Sequence, residues 1–258
     1  GTPMAAAVFA MEVVSVGVMY YAALLPCVIA SIIAAEFATG VGLNPETFPV
    51  ARIPQLSVES GLKMAVIAAG CGLLSILFCV ALKAVSGIYG KYLKNPYLRV
   101  CVAGCLVIGI TMLLGTGDYM GAGNELIARA VEQGKARPLD FLWKMILTAI
   151  TMRAGYRGGE IVPAFSVGAT FGCVAGGLLG FSPEVAAAAS MVALFCGVTN
   201  CPIASMLISF ELFGFSGAAY YLIAISISYA LSGYYSLYKD QTIVYSKYKA
   251  RYINKKTH

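Results

Sequence analysis

A glycine-rich segment just past the middle of the sequence carries the clearest chemistry. It runs over residues 153–172 and reads RAGYRGGEIVPAFSVGATFG. Gly155, Gly158 and Gly159 precede Glu160, and Pro163 follows at a position that proline tolerates in the first turn of a helix. Glycine-rich backbone that leads into a helix leaves several N–H groups unpaired, and the helix dipole adds positive potential there. The segment therefore predicts an anion site at the start of a helix; a turn that binds nothing is the alternative.

Glu160 adds a group that could handle protons beside this site. An apolar environment disfavours the charged form of a carboxylate, so a buried Glu160 could take up a proton. Carboxylates at membrane depth cost at least ~2.5 kcal/mol on insertion scales, and they usually serve a function. The alternative is an ion pair with Arg153 or Arg157 on the water side of the segment. The sequence leaves both interpretations open.

Two segments far apart in the sequence resemble each other. Residues 2–12 read TPMAAAVFAME, and residues 201–211 read CPIASMLISFE. Each has a proline, Pro3 or Pro202, followed nine positions later by a glutamate, Glu12 or Glu211. Because proline is favoured at the first position of a helix, each segment predicts a helix with a carboxylate near its far end. Such an echo is typical of transporters built from two related halves.

The composition of the chain defines the surroundings of these segments. Of 258 residues, 59% are apolar and 12% are charged, with a mean hydropathy of +0.80. Soluble domains carry about 25% charged residues, so a typical water-soluble enzyme is excluded and a polytopic membrane protein is predicted. The apolar stretches cover residues 4–38, 61–88, 98–115, 139–152, 161–181, 185–200, 202–213 and 217–238. Several are short and interrupted by Gly or Pro, which predicts discontinuous helices that stop inside the membrane.

Basic residues concentrate at the C-terminal end. Residues 239–258 hold six Lys or Arg and one Asp, which predicts a cytoplasmic tail after a membrane domain over residues 1–238. Tyrosines between these charges favour an interfacial belt over a nucleic-acid site. The eight cysteines lie mostly in or beside apolar stretches, where cysteine behaves as a small hydrophobe. With His258 as the single histidine, neither a metal site nor a cofactor is predicted.

In their order and spacing, the motifs resemble the C-terminal half of the CLC family of chloride channels and anion transporters. The resemblance rests on GGEIVP followed by AFSVGATFG, on NCPIASMLISFELFG, on TPMAAAVFAMEVV and on the Gly-rich DYMGAGNELI. It implies an all-α bundle of the CLC inverted-repeat type, with broken and tilted helices, that assembles as a homodimer. It also implies that the backbone amides of Glu160 and Ile161 and the hydroxyl of Tyr238 bind the anion, with Tyr245 as the second choice.

Departures from the family pattern refine this reading. At the position of Glu160, chloride-type members usually carry an aliphatic residue, and GYRGGE, LLPC and ELFG resemble the fluoride-type branch instead. Val13 stands where chloride/proton exchangers have an inner proton-relay glutamate, and valine cannot relay a proton, so Glu160 is the proton-coupling candidate. Two N-terminal family motifs, Gly-Ser-Gly-x-Pro and Gly-x-Glu-Gly, do not occur. We therefore expect this chain to be about half of a transporter.

Residues and resemblance together predict transport of a small halide anion, by fluoride/proton antiport. A chloride channel or a chloride/proton exchanger is the alternative within the family. An intramembrane enzyme is disfavoured because the chain has no HExxH or GxSxG motif and no histidine in an apolar stretch. A subunit that only supports a partner chain stays open. The expected partners are the halide, protons and the lipid bilayer, and no nucleic acid.

Overall fold

The computed structural model describes residues 1–43, 45, 47–50 and 53–258. This part of the chain forms the helices α1 Pro3–Glu12, α2 Leu24–Gly40, α3 Val58–Tyr92, α4 Pro96–Leu114, α5 Asn124–Glu132, α6 Asp140–Ala154, α7 Ile161–Leu178, α8 Pro183–Thr199, α9 Pro202–Phe213 and α10 Ala218–Leu231. Its strands are β1 Ser15–Val16, β2 Thr242–Tyr245 and β3 Tyr252–Lys256. The predicted all-α bundle is confirmed, with one small sheet added to it.

The helices fall into a long and a short class. By length and composition, four helical segments among the described residues could cross a membrane: Tyr21–Gly40, Val58–Tyr92, Pro96–Leu114 and Ile161–Leu178. Helices α1, α8, α9 and α10 are also apolar, but they have only 10–17 residues. A full span needs about 20 residues, so the short helices match the discontinuous segments expected from the sequence. The apolar stretch 4–38 contains two helices, because the chain leaves helical geometry after Glu12 and resumes it at Tyr21.

Helix α8 lies at the centre of the bundle. Every residue from Val185 to Thr199 is buried, and α3, α7 and α10 pack around this helix. The helix is rich in alanine, and small residues let neighbouring helices approach closely within a membrane. Gly168 on α7 shows how closely: a Cβ added there would lie 2.6 Å from the carbonyl oxygen of Ser190. The contact with α8 therefore fixes the position of α7, whose first turn follows the predicted anion site.

Residues 239–258 fold back onto the bundle. Strand β2 pairs in parallel with β1, which follows α1 directly, and Ser15 lies opposite Thr242. Strand β3 pairs with β2 in the antiparallel sense, and Thr242 lies opposite Lys256. The C-terminal segment is thereby joined to the end of α1 by backbone hydrogen bonds.

Candidate anion-binding site

The turn between α6 and α7 presents a row of free backbone amides. Gly155 follows the end of α6 with a φ of 113°, a left-handed conformation that glycine adopts without steric cost. No backbone N–H from residue 155 to residue 162 donates a hydrogen bond to any described residue. The amides of Glu160 and Ile161 lie in this row, at the positive end of the α7 dipole. An anion could therefore accept several hydrogen bonds here without displacing an existing partner.

Glu160 forms an ion pair with Arg153 in the last turn of α6. Arg153 Nη2 lies 2.9 Å from Glu160 Oε1, and the two side chains are 22% and 21% exposed. Of the two arginines considered from the sequence, Arg153 is thus the partner, whereas Arg157 is exposed. Arg153 Nε is buried and has no hydrogen-bond partner among the described residues.

Tyr238 approaches the same region through a row of aromatic rings. The ring of Tyr238 lies 6.4 Å from that of Phe9, which lies 5.6 Å from Phe195, which in turn lies 5.0 Å from Phe165 on α7. Tyr238 is half-buried. The row of rings therefore connects Tyr238 with α7, the helix that begins directly after Glu160, although Tyr238 and Glu160 are 78 positions apart in the sequence.

Tyr245, the second choice for the tyrosine, lies elsewhere. It belongs to β2, and 47% of its surface is exposed. Its ring packs edge-on against Tyr252 of β3, with 5.9 Å between the ring centroids. This tyrosine is part of the small sheet, so Tyr238 is the better candidate for the anion site.

Two cavities lie near the candidate site: one is lined by the turn between α6 and α7, and the other by Arg153 of α6. A cavity of about 460 Å³ is lined by Gly158, Gly159, Pro163, Arg157 and Lys144. Its lining carries two cationic side chains and no carboxylate. Exposed glycine backbone and basic side chains make this wall attractive to anions.

The second cavity lies on the side of the C-terminal segment. It has a volume of about 230 Å³, and its wall includes Arg153, Lys83, Lys239, Ser236 and Leu237. Its lining also contains no carboxylate. Arg153, the ion-pair partner of Glu160, is the residue next to the candidate site that lines this cavity.

The Gly-rich connection before α5 is held against α6 and α7 by residues that the sequence did not single out as functional. The buried Lys144 Nζ donates to the carbonyl oxygens of Tyr119 at 3.0 Å and Gly121 at 2.8 Å. Ser166 Oγ on α7 donates to the carbonyl oxygen of Gly123 at 3.1 Å. A lysine within an apolar stretch is the sequence signal that could have indicated the first of these contacts. Nothing in the sequence indicated the second.

Glu12 and Glu211 belong to the scaffold of the site. Helices α1 and α9 begin at Pro3 and Pro202, as the echo predicted. Each glutamate accepts hydrogen bonds from two backbone N–H groups in the first turn of the other helix. The four donors are Met4 and Ala5 to Glu211, and Ile203 and Ala204 to Glu12, over 2.8–3.1 Å.

Metal chemistry finds no support in the described residues. They contain no group of three or more His, Cys, Asp or Glu side chains that could hold a metal ion. All eight cysteines are free.

Fold and site together define a multi-pass membrane protein with discontinuous helices around a row of free amides. A family model described as voltage gated chloride channel (Voltage_CLC) matches residues 1–233, and the chain belongs to this family. A chloride/fluoride channel protein of Pseudomonas syringae pv. tomato is 33% identical over 256 residues, which cover 96% of this chain and 56% of the relative. An H(+)/Cl(-) exchange transporter, ClcA, of Vibrio cholerae is 26% identical over 226 residues, with 81% and 48% covered.

Solved structures agree with this assignment. A CLC-type fluoride/proton antiporter superposes with a TM-score of 0.88 at 30% identity, covering 93% of this chain and 61% of the antiporter. A eukaryotic CLC transporter superposes with a TM-score of 0.59 at 21% identity, which shows the shared fold. The resemblance to the CLC family, close to its fluoride-type branch, is thereby confirmed. The chain spans about half the length of the curated relatives that it matches.

Proposed function

We propose that the protein containing this chain exchanges fluoride for protons across a membrane, and that this chain supplies the C-terminal half of the anion pathway. The observation that carries the proposal is the position of Glu160. Its carboxylate stands among the free amides that lead into α7 and is paired with Arg153. The similarity to a chloride/fluoride channel protein and to a fluoride/proton antiporter supports the same function.

The halide binds to the amides of Glu160 and Ile161 and to the hydroxyl of Tyr238. Amides and a phenol donate hydrogen bonds without adding a formal charge, so they hold an anion without trapping it as a fixed cation would. No described residue accepts a hydrogen bond from those two amides in the folded chain. The halide therefore fills donors that are otherwise unsatisfied.

Glu160 couples this anion to protons. An ionised carboxylate next to a bound halide is a pair of like charges, which disfavours the complex. A proton on Glu160 removes that repulsion, so the protonation state of Glu160 controls whether a halide occupies the site. When the proton leaves, the carboxylate returns to Arg153 and repels the halide. Val13 offers no proton relay, so the coupling depends on Glu160.

The membrane arrangement follows from the distribution of apolar and basic surface. Helices α2 and α4 expose large apolar side chains along most of their length, which suits contact with lipid or with another apolar helix face. We infer a homodimer in which such faces meet, with residues 1–238 in the membrane and the basic residues 239–258 on the cytoplasmic side. The relatives named above are a channel protein and transporters, and a transporter rather than an enzyme is inferred for this protein as well.

Ion flux from liposomes tests the proposed function. The full-length protein is reconstituted, and fluoride efflux, chloride efflux and proton movement are recorded. We expect fluoride efflux to exceed chloride efflux, with protons moving in the opposite direction. Glu160→Gln should abolish the proton movement, whereas Glu132→Gln, at an exposed position on α5, should leave it intact. Proton coupling that survives Glu160→Gln would refute the role of Glu160.

A chloride channel or chloride/proton exchanger is the second candidate. It is favoured by the similarity to an H(+)/Cl(-) exchange transporter and by Val13, which also suits a channel without a proton relay. The same efflux assay separates the candidates. Equal fluoride and chloride fluxes would overturn fluoride selectivity, and halide flux without proton movement would indicate a channel.

A further inference from the structure

A buried glutamine joins the C-terminal segment to the ends of two helices. Gln241 is 2% exposed. Its Nε2 donates to the carbonyl oxygens of Val13 at 2.9 Å and Thr199 at 2.7 Å, and its Oε1 accepts from Asn200 Nδ2 at 2.9 Å. Val13 follows α1, and Thr199 and Asn200 end α8. Both amide hydrogens of the side chain are thus used on groups that belong to the helical bundle.

The same segment holds the backbone of Tyr238. Thr257 Oγ1 donates to the Tyr238 carbonyl oxygen at 2.8 Å, and the backbone N–H of Gln241 donates to the same oxygen at 3.3 Å. The Tyr238 N–H donates to Ser236 Oγ at 3.1 Å. The chain around Tyr238 is therefore fixed on both sides of the residue.

A tyrosine hydroxyl lies at the end of a rigid ring, so its position depends on the backbone that carries the ring. A binding site loses function when its groups move by more than about 0.5 Å, and supporting residues prevent such movement. The Tyr238 ring is packed on one side by Phe9 of α1, and the chain that follows α1 is bound by Gln241. The ring of Tyr238 and the backbone that carries it are thus both held in place relative to α1.

We propose that Gln241 and Thr257 are positioning residues of the halide site, which act through Tyr238. The inference rests on the proposed anion-binding role of Tyr238. It assigns a task to the C-terminal segment beyond that of a basic tail: the small sheet and the Gln241 hydrogen bonds hold the tyrosine hydroxyl at the distance that the anion requires. Neither residue touches the anion.

Halide affinity measured in a double-mutant cycle tests this inference. Fluoride binding to the full-length protein is measured by isothermal titration calorimetry for wild type, Tyr238→Phe, Gln241→Met and the double variant. Loss of one hydrogen bond to a charged group weakens binding by about ten-fold or more, which is the expectation for Tyr238→Phe. We expect about three- to ten-fold weaker binding for Gln241→Met, because the hydroxyl is displaced rather than removed. In the Tyr238→Phe background, Gln241→Met should change the affinity little.

Three results would overturn the inference. Gln241→Met could lower the melting temperature and leave the fluoride affinity unchanged, which would assign it a structural role only. It could also weaken binding equally in both backgrounds, which would show that it does not act through Tyr238. If Tyr238→Phe itself binds fluoride like wild type, the proposed role of Tyr238 fails, and that failure is recognised without any Gln241 variant.

A second variant keeps the test valid if Gln241→Met does not fold. Thr257→Val removes the hydroxyl that donates to the Tyr238 carbonyl oxygen and retains the shape of the side chain. We expect it to weaken fluoride binding by about two- to five-fold, again only when Tyr238 is present. Thr242→Val is the matched control: it makes the same change on the neighbouring strand, at a side chain without a hydrogen bond to Tyr238. It should bind fluoride like wild type, and an equal loss in both threonine variants would contradict the proposal.

Discussion

Glu12 and Glu211 cap each other's helices. Glu12 ends α1 and binds the first amides of α9, and Glu211 lies near the end of α9 and binds the first amides of α1. The two short helices therefore run in opposite directions, and each N-terminus is satisfied by a carboxylate from the other. Helix ends inside a membrane cannot rely on water for their free N–H groups. The reciprocal caps explain how two helices of this length can end within the bundle.

Replacing either carboxylate by an amide should destabilise the protein. Glu12→Gln and Glu211→Gln each keep one oxygen acceptor, but they lose the charge that strengthens bonds to helix N-termini. We expect each variant to lower the free energy of unfolding by about 1–2 kcal/mol. Denaturation in detergent measures the change. Glu132→Gln, at an exposed position, should stay within about 0.5 kcal/mol of wild type, and an equal loss there would argue against the capping role.

Close packing of α7 on α8 predicts a contrast between two glycines of one helix. A Cβ at Gly168 would lie 2.6 Å from the Ser190 carbonyl oxygen and 2.9 Å from the Met191 Cα, whereas a Cβ at Gly177 would meet nothing within 4 Å. Gly168→Ala should therefore cost about 1–3 kcal/mol of stability, because the backbone of α8 cannot yield. Gly177→Ala should be neutral or stabilising, since alanine favours a helix. Thermal denaturation of both variants tests the contrast, and equal losses would contradict it.

Substitution of the buried Asp140 should lower the stability of the protein more than substitution of an exposed aspartate. It accepts from the Tyr119 hydroxyl at 2.6 Å and the Arg137 N–H at 2.9 Å, and Arg129 Nη2 lies 3.4 Å away. Asp140→Asn removes the charge that strengthens these contacts in a buried place, although Arg129 keeps its ion pair with Asp118 at 3.0 Å, and should cost about 1.5–3 kcal/mol.

Asp240 provides the matched control for this substitution. Its side chain is 97% exposed and lies 3.4 Å from Lys256. Asp240→Asn should cost less than about 1 kcal/mol, because surface ion pairs contribute little. The free energy of unfolding is measured for wild type and both variants. Similar losses in the two variants would mean that burial of Asp140 does not strengthen its contacts.

Lys247 gives the stability a specific pH dependence. Its Nζ contacts Asn200 Oδ1, Ser232 Oγ at 2.9 Å and the Tyr229 carbonyl oxygen at 3.2 Å. Burial lowers the pKa of Lys247 to about 8, whereas the unfolded chain keeps a pKa of 10.5. Between these values the unfolded state binds more protons, so the free energy of unfolding rises as the pH increases from 8 to 10.5.

The variant Lys247→Met should remove this rise. Melting temperatures of wild type and variant are compared from pH 7 to pH 10, and the difference between them should grow in favour of wild type above pH 8. Lys255→Met, at an exposed position of β3, should keep the wild-type pH dependence. If Lys247→Met follows wild type over the whole range, the ammonium group is not held in the buried environment described above.

Features that depend on neighbouring residues could be predicted from the sequence. The apolar content required a membrane protein, and proline at the first helical position placed the starts of α1 and α9. The run of glycines before Glu160 predicted unpaired amides, and the structure contains them. These inferences succeed because backbone geometry near glycine and proline is decided within one turn of chain.

Features that depend on distant residues required the tertiary structure. From the sequence, either Arg153 or Arg157 could pair with Glu160. In the structure the turn after α6 places Glu160 next to Arg153. Glu12 and Glu211 were expected at helix ends, but their exchange of caps joins residues about 200 positions apart. Gln241 carried no signal in the sequence, because a single polar residue after an apolar stretch resembles any surface position. Its role arises only where β2, α1 and α8 meet, since packing alone decides which buried polar groups face one another.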